Sequence, residues 1–253
     1  AQPSTSAEVS QYLAQSRLPL SSLLFIAPPL IIYEAGVLWG SATAARNGAD
    51  IWLRDCLQSL GVSYVYLLPW LTAVGLLAWH FLTRSSWRWA PGILCSMWIE
   101  CLALAAGLVL IAEAQGAVLQ SITGQTREVV RLQAGELIAQ PTSGEAAGNL
   151  ILAYLGAGIY EETLFRLLCL PLVWAAGWAL GLGKGASLLL AVVATSFLFS
   201  GAHHFGPHGE AFDWYCFGFR TAAGLCFAAI FVFRGFGIAA GTHALYDVLV
   251  VFV

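Results

Sequence analysis

The sequence predicts an all-α protein, a polytopic membrane bundle of about eight transmembrane helices, and three observations lead to this prediction. Hydrophobic residues make up 59% of the 253 residues, charged residues only 10%, and the mean hydropathy is +0.77. A soluble domain carries about 25% charged residues, so most of this surface cannot face water. The apolar runs are also continuous, without the alternating polarity of a transmembrane barrel, and this favours helices.

The apolar runs predict eight spans, most of them near the roughly 20 residues that a helix needs to cross a bilayer. The predicted spans are residues 18–40, 62–83, 91–118, 147–161, 163–182, 186–204, 213–233 and 236–253. With short loops they use nearly the whole chain, so we expect a single integral membrane domain over residues 1–253. Residues 1–17 form a polar N-terminal segment, in which we expect no signal peptide because it lacks an apolar core.

Two predicted connections are long enough to have a structure of their own. Residues 41–61 intersperse charged side chains such as Asp50 and Arg54 with Ile, Trp and Leu, a pattern that predicts an amphipathic helix at the membrane surface. Residues 119–146 are polar and predict one sizeable external loop. The side of the termini carries Arg17, Arg84 and Arg88, and the other side carries six basic residues in longer loops. Short loops weigh more in the positive-inside rule, which gives a small balance in favour of cytoplasmic termini.

Charge and cysteine usage narrow the function classes. The net charge of −3, without a cluster of Lys or Arg, argues against a nucleic-acid partner. The six cysteines show no CxxC spacing and fall mostly in apolar runs, which favours packing residues over disulfides or a zinc site. Glu34, Glu100 and Glu113 are expected to form structural pairs, and Arg220 could neutralise one of them.

An acidic pair and an arginine interrupt the apolar sequence near residues 159–166. On a helix, Glu162 and Arg166 are four positions apart with the acid first, the favoured order for an ion pair. Glu161 points about 100° away from Glu162 around the helix axis. We therefore interpret Glu162 and Arg166 as a structural clamp and Glu161 as a reactive acid or base. The alternative is a helix end with ordinary snorkelling charges.

Two more polar patterns with i,i+4 spacing occur in later spans. Phe199 and His203 share a helix face, with small residues between them that allow close helix approach. A single His at this depth is otherwise typical of a hydrogen-bonded interfacial residue. His243 and Asp247 share a face in the last apolar run, where the carboxylate can fix the imidazole tautomer and hold its charge. A His–Asp bond between packed helices is the alternative.

Together these patterns resemble the CAAX-protease and bacteriocin-processing family, also called the Abi family, which includes the Ras-converting CAAX endopeptidase. The family pattern is EExxxR, then FxxxH, then HxxxN or HxxxD. The chain has these elements in the same order, as Glu161-Glu162 with Arg166, Phe199 with His203, and His243 with Asp247. The resemblance covers about residues 147–253, which we expect to be the motif-bearing catalytic core.

The resemblance implies an intramembrane endopeptidase of the glutamate type that hydrolyses a membrane-embedded or lipidated protein or peptide. The family's roles, carried over to this chain, assign water activation to Glu161 and His203 and oxyanion stabilisation to His243 and Asp247. Glu162, Arg166 and Phe199 would support the site. Because an ionised Asp247 only accepts hydrogen bonds, we expect it to orient a cationic His243, which then acts as the donor.

Other functions stay open at this stage. Glu161, His203 and His243 could instead bind a divalent metal, although the HExxH signature of many zinc proteases is absent; otherwise no cofactor is expected. The chain could also be a non-catalytic scaffold or accessory subunit of a larger membrane complex that retains the fold. A transporter is disfavoured because no internal repeat is found. The composition favours the bacterial plasma (inner) membrane.

Overall fold

The computed structural model describes residues 5–39, 46–62, 67–123, 144–205 and 209–252, and all regular structure in these ranges is helical. The predicted all-α fold class is therefore confirmed. In chain order the helices are α1 (Thr5–Ser16), α2 (Pro19–Trp39), α3 (Gly48–Ser59), α4 (Leu67–Leu82), α5 (Pro91–Thr123), α6 (Gly144–Glu162), a π-helical segment (Thr163–Cys169), α7 (Leu170–Ala179), α8 (Lys184–Ala202), α9 (Trp214–Arg234) and α10 (Phe236–Phe252).

Several of these helices have the length and composition of membrane spans. In the described part of the chain, α2, α8, α9 and residues 91–122 of α5 are long and apolar enough to cross a bilayer, and α4 and α10 are shorter apolar helices. Large apolar side chains point outward from them, among them Leu110 and Leu189. Such a surface is stable in lipid and would be costly in water. The predicted helical membrane bundle is confirmed.

The last helix, α10, lies at the centre of the bundle. It packs against α2, α5, α6 and α9, and its first residues are almost completely buried. Close approach depends on a lack of side chain at Gly241, where a Cβ atom would lie 2.7 Å from the ring of Phe25 and 2.8 Å from Cys101 Sγ. An apolar helix that is buried all round occupies the core of a membrane bundle, and α10 brings its His243 and Asp247 there.

The chain is helical without interruption from Gly144 to Ala179, whereas the sequence predicts separate spans at 147–161 and 163–182. The charged side chains at 161, 162 and 166 indicated a span boundary, but no residue there breaks a helix. The structure accommodates the charges with a π-helical segment and by pairing Glu162 with Arg166 inside the bundle. A π-helical turn inside an α-helix is rare and is frequently found at functional sites.

The predicted amphipathic helix at 41–61 is present as α3, but its charged side chains face the bundle. Asp50 is completely buried and Arg54 is 8% exposed, while Asp55 is exposed. The reason is that α2 supplies partners: the Tyr33 hydroxyl donates to Asp50, and Arg54 pairs with Glu34. Most of the predicted external loop, residues 124–143, lies outside the described residues.

The ion pairs of Arg220, Glu34 and Glu100 differ in part from expectation. Arg220, which from the sequence could neutralise Glu34, Glu100 or Glu113, pairs with Glu210. The reason is that Glu34 and Glu100 have nearer cations, Arg54 for Glu34 and Arg234 for Glu100. The polar N-terminal segment contributes α1, which packs against α5, and its Tyr12 hydroxyl donates to Glu100.

Candidate active site

Three parts of the bundle converge on one polar cluster: the end of α6, the end of α8 and the middle of α10. The approach of α6 to α10 requires Gly158, because a Cβ atom there would lie 2.7 Å from the carbonyl oxygen of Ala240 and from the backbone nitrogen of Ala244. Glu161, one turn further along α6, is thereby brought next to His243 on α10. The absence of a side chain at Gly158 thus allows Glu161 and His243 to lie close together.

Glu161 has one bonded and one unbonded carboxylate oxygen. Its Oε1 accepts a hydrogen bond from the Asn47 side chain at 3.2 Å. Its Oε2 is buried and has no hydrogen-bond partner among the described residues. The Nε2 atoms of His203 and His243 lie 3.9 Å and 3.8 Å from this Oε2. A buried carboxylate oxygen without a partner is costly, so we expect a polar ligand such as water beside it.

His203 ends α8 and turns its ring toward Glu161. Its Nδ1 lies 2.9 Å from the carbonyl oxygen of Phe199. A carbonyl oxygen only accepts, so Nδ1 carries the proton and a neutral ring leaves Nε2 as an acceptor. The Phe199 ring meets the imidazoles of His203 and His243 edge to face, at centroid distances of 5.2 Å and 5.7 Å. Phe199 therefore orients both rings.

His243 is held from both sides of its ring. Its Nδ1 lies 2.8 Å from Glu162 Oε1, and the ring stacks on Phe227 with a centroid distance of 4.4 Å. On the other side, Nε2 lies 3.6 Å from Asp247 Oδ2, in addition to its approach to Glu161. Carboxylates on both ring nitrogens favour the doubly protonated imidazolium, which can donate from Nε2.

Glu162 and Arg166 form the predicted pair, completely buried, with 3.1 Å between Arg166 Nη1 and Glu162 Oε1. The contact uses one guanidinium nitrogen. Nη2 instead donates to the carbonyl oxygen of Gly224 on α9, at 3.0 Å, and the guanidinium lies over the ring of Phe199, 4.7 Å from its centroid. The arginine therefore joins the π-helical segment to α9 as well as to Glu162.

The two acids beside His243, Glu162 and Asp247, lie at different nitrogens of its ring, and their roles differ from those that the sequence predicted. The sequence predicted Asp247 as the group that orients His243, on the analogy of a His–Asp pair. In the structure Glu162 binds the Nδ1 side of the ring, and Asp247 lies on the Nε2 side that faces Glu161. Helical spacing could not show this, because the partner of Nδ1 comes from another helix.

Two neighbours of the site were not identified from the sequence. Phe227, which stacks on His243, has no distinguishing signal in an apolar run. Asn47 does have one: it is a favoured N-cap residue directly before the amphipathic pattern of α3.

The metal-binding alternative stays a prediction. Within the described ranges, no group of three or more His, Cys, Asp or Glu residues has an arrangement that could hold a metal ion. The two distances from Glu161 Oε2 to the imidazoles, 3.9 Å and 3.8 Å, exceed the spacing of about 3.4 Å between tetrahedral zinc ligands.

The fold and the cluster define a class: a helical membrane protein with a carboxylate and two imidazoles arranged around one buried, unpartnered oxygen. Residues 143–249 match the family model described as type II CAAX prenyl endopeptidase Rce1-like. This match confirms the resemblance seen in the three motifs, over nearly the same part of the chain. No curated protein and no solved structure matches the chain significantly. The family match implies a protease, and hence a peptide-bond hydrolase.

Proposed function

We propose that the protein is an intramembrane endopeptidase of the glutamate type, in which Glu161 activates the attacking water. The observation that carries this proposal is the unpartnered Oε2 of Glu161, which faces the Nε2 atoms of His203 and His243. A general base must lie within reach of the water whose proton it takes, directly beside the position of the reacting carbonyl. No other described carboxylate is placed between two imidazoles in this way.

In the proposed reaction, water is held by Glu161 Oε2 and His203 Nε2. Glu161 takes a proton from the water as its oxygen bonds to the peptide carbonyl carbon. His243, donating from Nε2, stabilises the negative charge that develops on the carbonyl oxygen. The C–N bond then breaks, and the proton held by Glu161 passes to the leaving amine. The products are a carboxylic acid and an amine, with the enzyme unchanged.

The remaining motif residues hold Glu161, His203 and His243 in position. Glu162 orients His243 through Nδ1, Arg166 balances the charge of Glu162, and Phe199 limits the rotation of both imidazoles. Asp247 lies close enough to Nε2 of His243 to support its charged form. Preorganised groups of this kind lower the barrier because they need no reorganisation when charge develops.

The substrate we propose is a membrane-embedded or lipidated protein or peptide, cleaved near the membrane interface. Two observations support this class: the cluster lies within a helical membrane bundle, and the matching family is described as a CAAX prenyl endopeptidase. The apolar composition and the membrane spans also suit a bacterial inner membrane, which we propose as the location.

The experiment that tests the proposal is cleavage of a fluorogenic membrane peptide by the purified protein in lipid vesicles. We expect Glu161→Gln to lower the cleavage rate by about 10²–10⁴-fold, the contribution of a general base. Asp55→Asn, which neutralises an exposed carboxylate on α3, is the matched control and should cleave like wild type. Wild-type cleavage by Glu161→Gln would contradict the role of Glu161.

The same preparation separates the alternatives. A metal-dependent protease would contain stoichiometric metal by elemental analysis and lose activity with a chelator, both of which we expect to be absent. A scaffold would cleave no peptide and would copurify at fixed stoichiometry with a larger membrane complex.

A further inference from the structure

Asn47, in the segment before α3, reaches the candidate catalytic carboxylate from outside the three motifs. It is the N-cap of α3: its side-chain oxygen accepts a hydrogen bond from the backbone N–H of Asp50 at 2.8 Å. Because the cap uses the oxygen, the amide nitrogen is free to donate. It points to Glu161 Oε1, with 3.2 Å between the two atoms. The cap therefore determines which end of the amide faces the acid.

The helix that presents Asn47 is fixed to the bundle by buried charges. Asp50 is completely buried and is bound by Arg54 Nε at 2.5 Å, by Arg46 Nη1 at 2.9 Å and by the Tyr33 hydroxyl at 2.8 Å. Although burial lowers the pKa of the Arg54 guanidinium, the charges of Asp50 and Glu34 outweigh this and raise it. Arg54 is therefore a permanent cation between two acids.

This charged network begins and ends on α6. Arg54 bonds to Glu34 at 3.0 Å, and Glu34 accepts from the hydroxyl of Tyr160, the residue directly before Glu161. At the other end, the α3 cap returns to Glu161 itself through Asn47. A closed ring of polar contacts of this kind holds Asn47 at a defined distance from Glu161, because α3 cannot shift without breaking buried ion pairs.

We propose that Asn47 is a positioning residue for Glu161. By binding Oε1, it orients the carboxylate so that Oε2 is the oxygen presented to water between the two imidazoles. It also provides the one N–H donor to this carboxylate in the described structure, and so stabilises its ionised form. The inference rests on the proposed function of Glu161. A role for Asn47 in capping α3 alone is the alternative.

Two substitutions separate positioning from capping. Asn47→Asp keeps the length and the capping oxygen but places a carboxylate oxygen, instead of an N–H donor, against Glu161. Asn47→Ser keeps a capping oxygen and ends one bond short of Glu161. Both are good N-caps, so we expect the thermal unfolding midpoint of Asn47→Ser to stay near that of wild type, whereas repulsion between the new carboxylate and Glu161 should lower that of Asn47→Asp. Asn47→Ala, which loses cap and donor together, should also lower the midpoint.

The measurement is kcat and KM for the fluorogenic membrane peptide in vesicles. We expect kcat to fall about tenfold to a hundredfold in Asn47→Ser, as for a lost hydrogen bond to a charged group, and further in Asn47→Asp. KM should not change, because Asn47 contacts the acid and not the substrate. Asp55→Asn on the same helix is the control and should retain wild-type kcat.

The outcomes separate the positioning role of Asn47 from the proposed function of Glu161. Wild-type kcat in both cap-retaining variants would overturn the positioning role and leave the proposed function intact, provided that wild type cleaves and Glu161→Gln does not. A fall in kcat that tracks only a loss of folded protein would make Asn47 structural and overturn the inference. If wild type itself cleaves no peptide, the proposed function fails, and the positioning role falls with it.

Discussion

At the scale of single residues, Glu162 joins the two halves of the site. Its Oε1 lies 3.1 Å from Arg166 Nη1 and 2.8 Å from His243 Nδ1, and the carboxylate is completely buried. Removal of a buried charge leaves its partners uncompensated, which costs about 3–5 kcal/mol. The pairing of acid and arginine was predictable from i,i+4 spacing. The imidazole contact was not, because the two residues are 81 positions apart.

Of the two acids beside His243, Asp247 is therefore the one whose substitution we expect to reduce cleavage less than that of Glu162. We expect Asp247→Asn to retain cleavage within about tenfold of wild type, since Glu162 already orients His243 and the loss resembles that of one hydrogen bond. Asp247→Leu, which removes the polar group beside His243 Nε2, should cost about a hundredfold, because the imidazole that stabilises the oxyanion then loses its support on that side. The measurement is kcat/KM for the membrane peptide. Equal losses in the two variants would mean that the negative charge itself is required.

At the scale of elements, the run α6, π-helical segment and α7 differs most from expectation. Charges at 161, 162 and 166 indicated a break between spans, but intrinsic helix preference continues through them. Whether a charged run ends a helix or is buried in it depends on partners from other helices, here His243 on α10 and the Gly224 carbonyl on α9. A single helix's sequence does not contain those partners.

The contact between α6 and α10 gives a prediction at this scale. In Gly158→Ala the added Cβ would meet the backbone of α10 at 2.7 Å, so the helices must separate. We expect a loss of about 1–3 kcal/mol in stability, as for an overpacked core. We also expect a marked fall in kcat, since a displacement of about 1 Å can cost a hundredfold.

The matched control for this substitution is Gly148→Ala on the same helix, where nothing lies within 4 Å of the added atom. It should unfold at or above the wild-type midpoint because alanine favours helix over glycine. Thermal unfolding in detergent and kcat in vesicles are the measurements. An equal effect of both substitutions would show that backbone preference, and not the α6–α10 contact, is responsible.

At the scale of the whole molecule, apolar side chains face outward and polar contacts are gathered inside. Leu110, on α5, is 70% exposed in the isolated chain and would contact lipid. We expect Leu110→Arg to reduce membrane insertion, because an arginine near the centre of a span costs about 2.5–3.5 kcal/mol on insertion scales. Membrane insertion is measured as resistance to alkaline extraction, and Leu110→Ala is the control. Normal insertion of the arginine variant would place this face of α5 outside the lipid.

The sequence by itself determined that most of the protein surface faces lipid and not water, that the fold is helical, and which residues form the three motifs. Long apolar runs exclude a water-exposed surface, and i,i+4 spacing places residues on shared helix faces. These are local properties, so one sequence is sufficient. The match of residues 143–249 to the Rce1-like family confirmed the resemblance that the motifs indicated.

Only the tertiary structure decided which partner each polar side chain has. Glu162 rather than Asp247 binds His243 Nδ1, α3 turns Asp50 and Arg54 inward, and Asn47 reaches Glu161 from 114 positions away. Periodicity describes the direction of a side chain around its own helix. It cannot describe which neighbouring helix supplies the hydrogen bond, and inside a membrane bundle that choice determines which oxygen of Glu161 stays unbonded and faces the imidazoles.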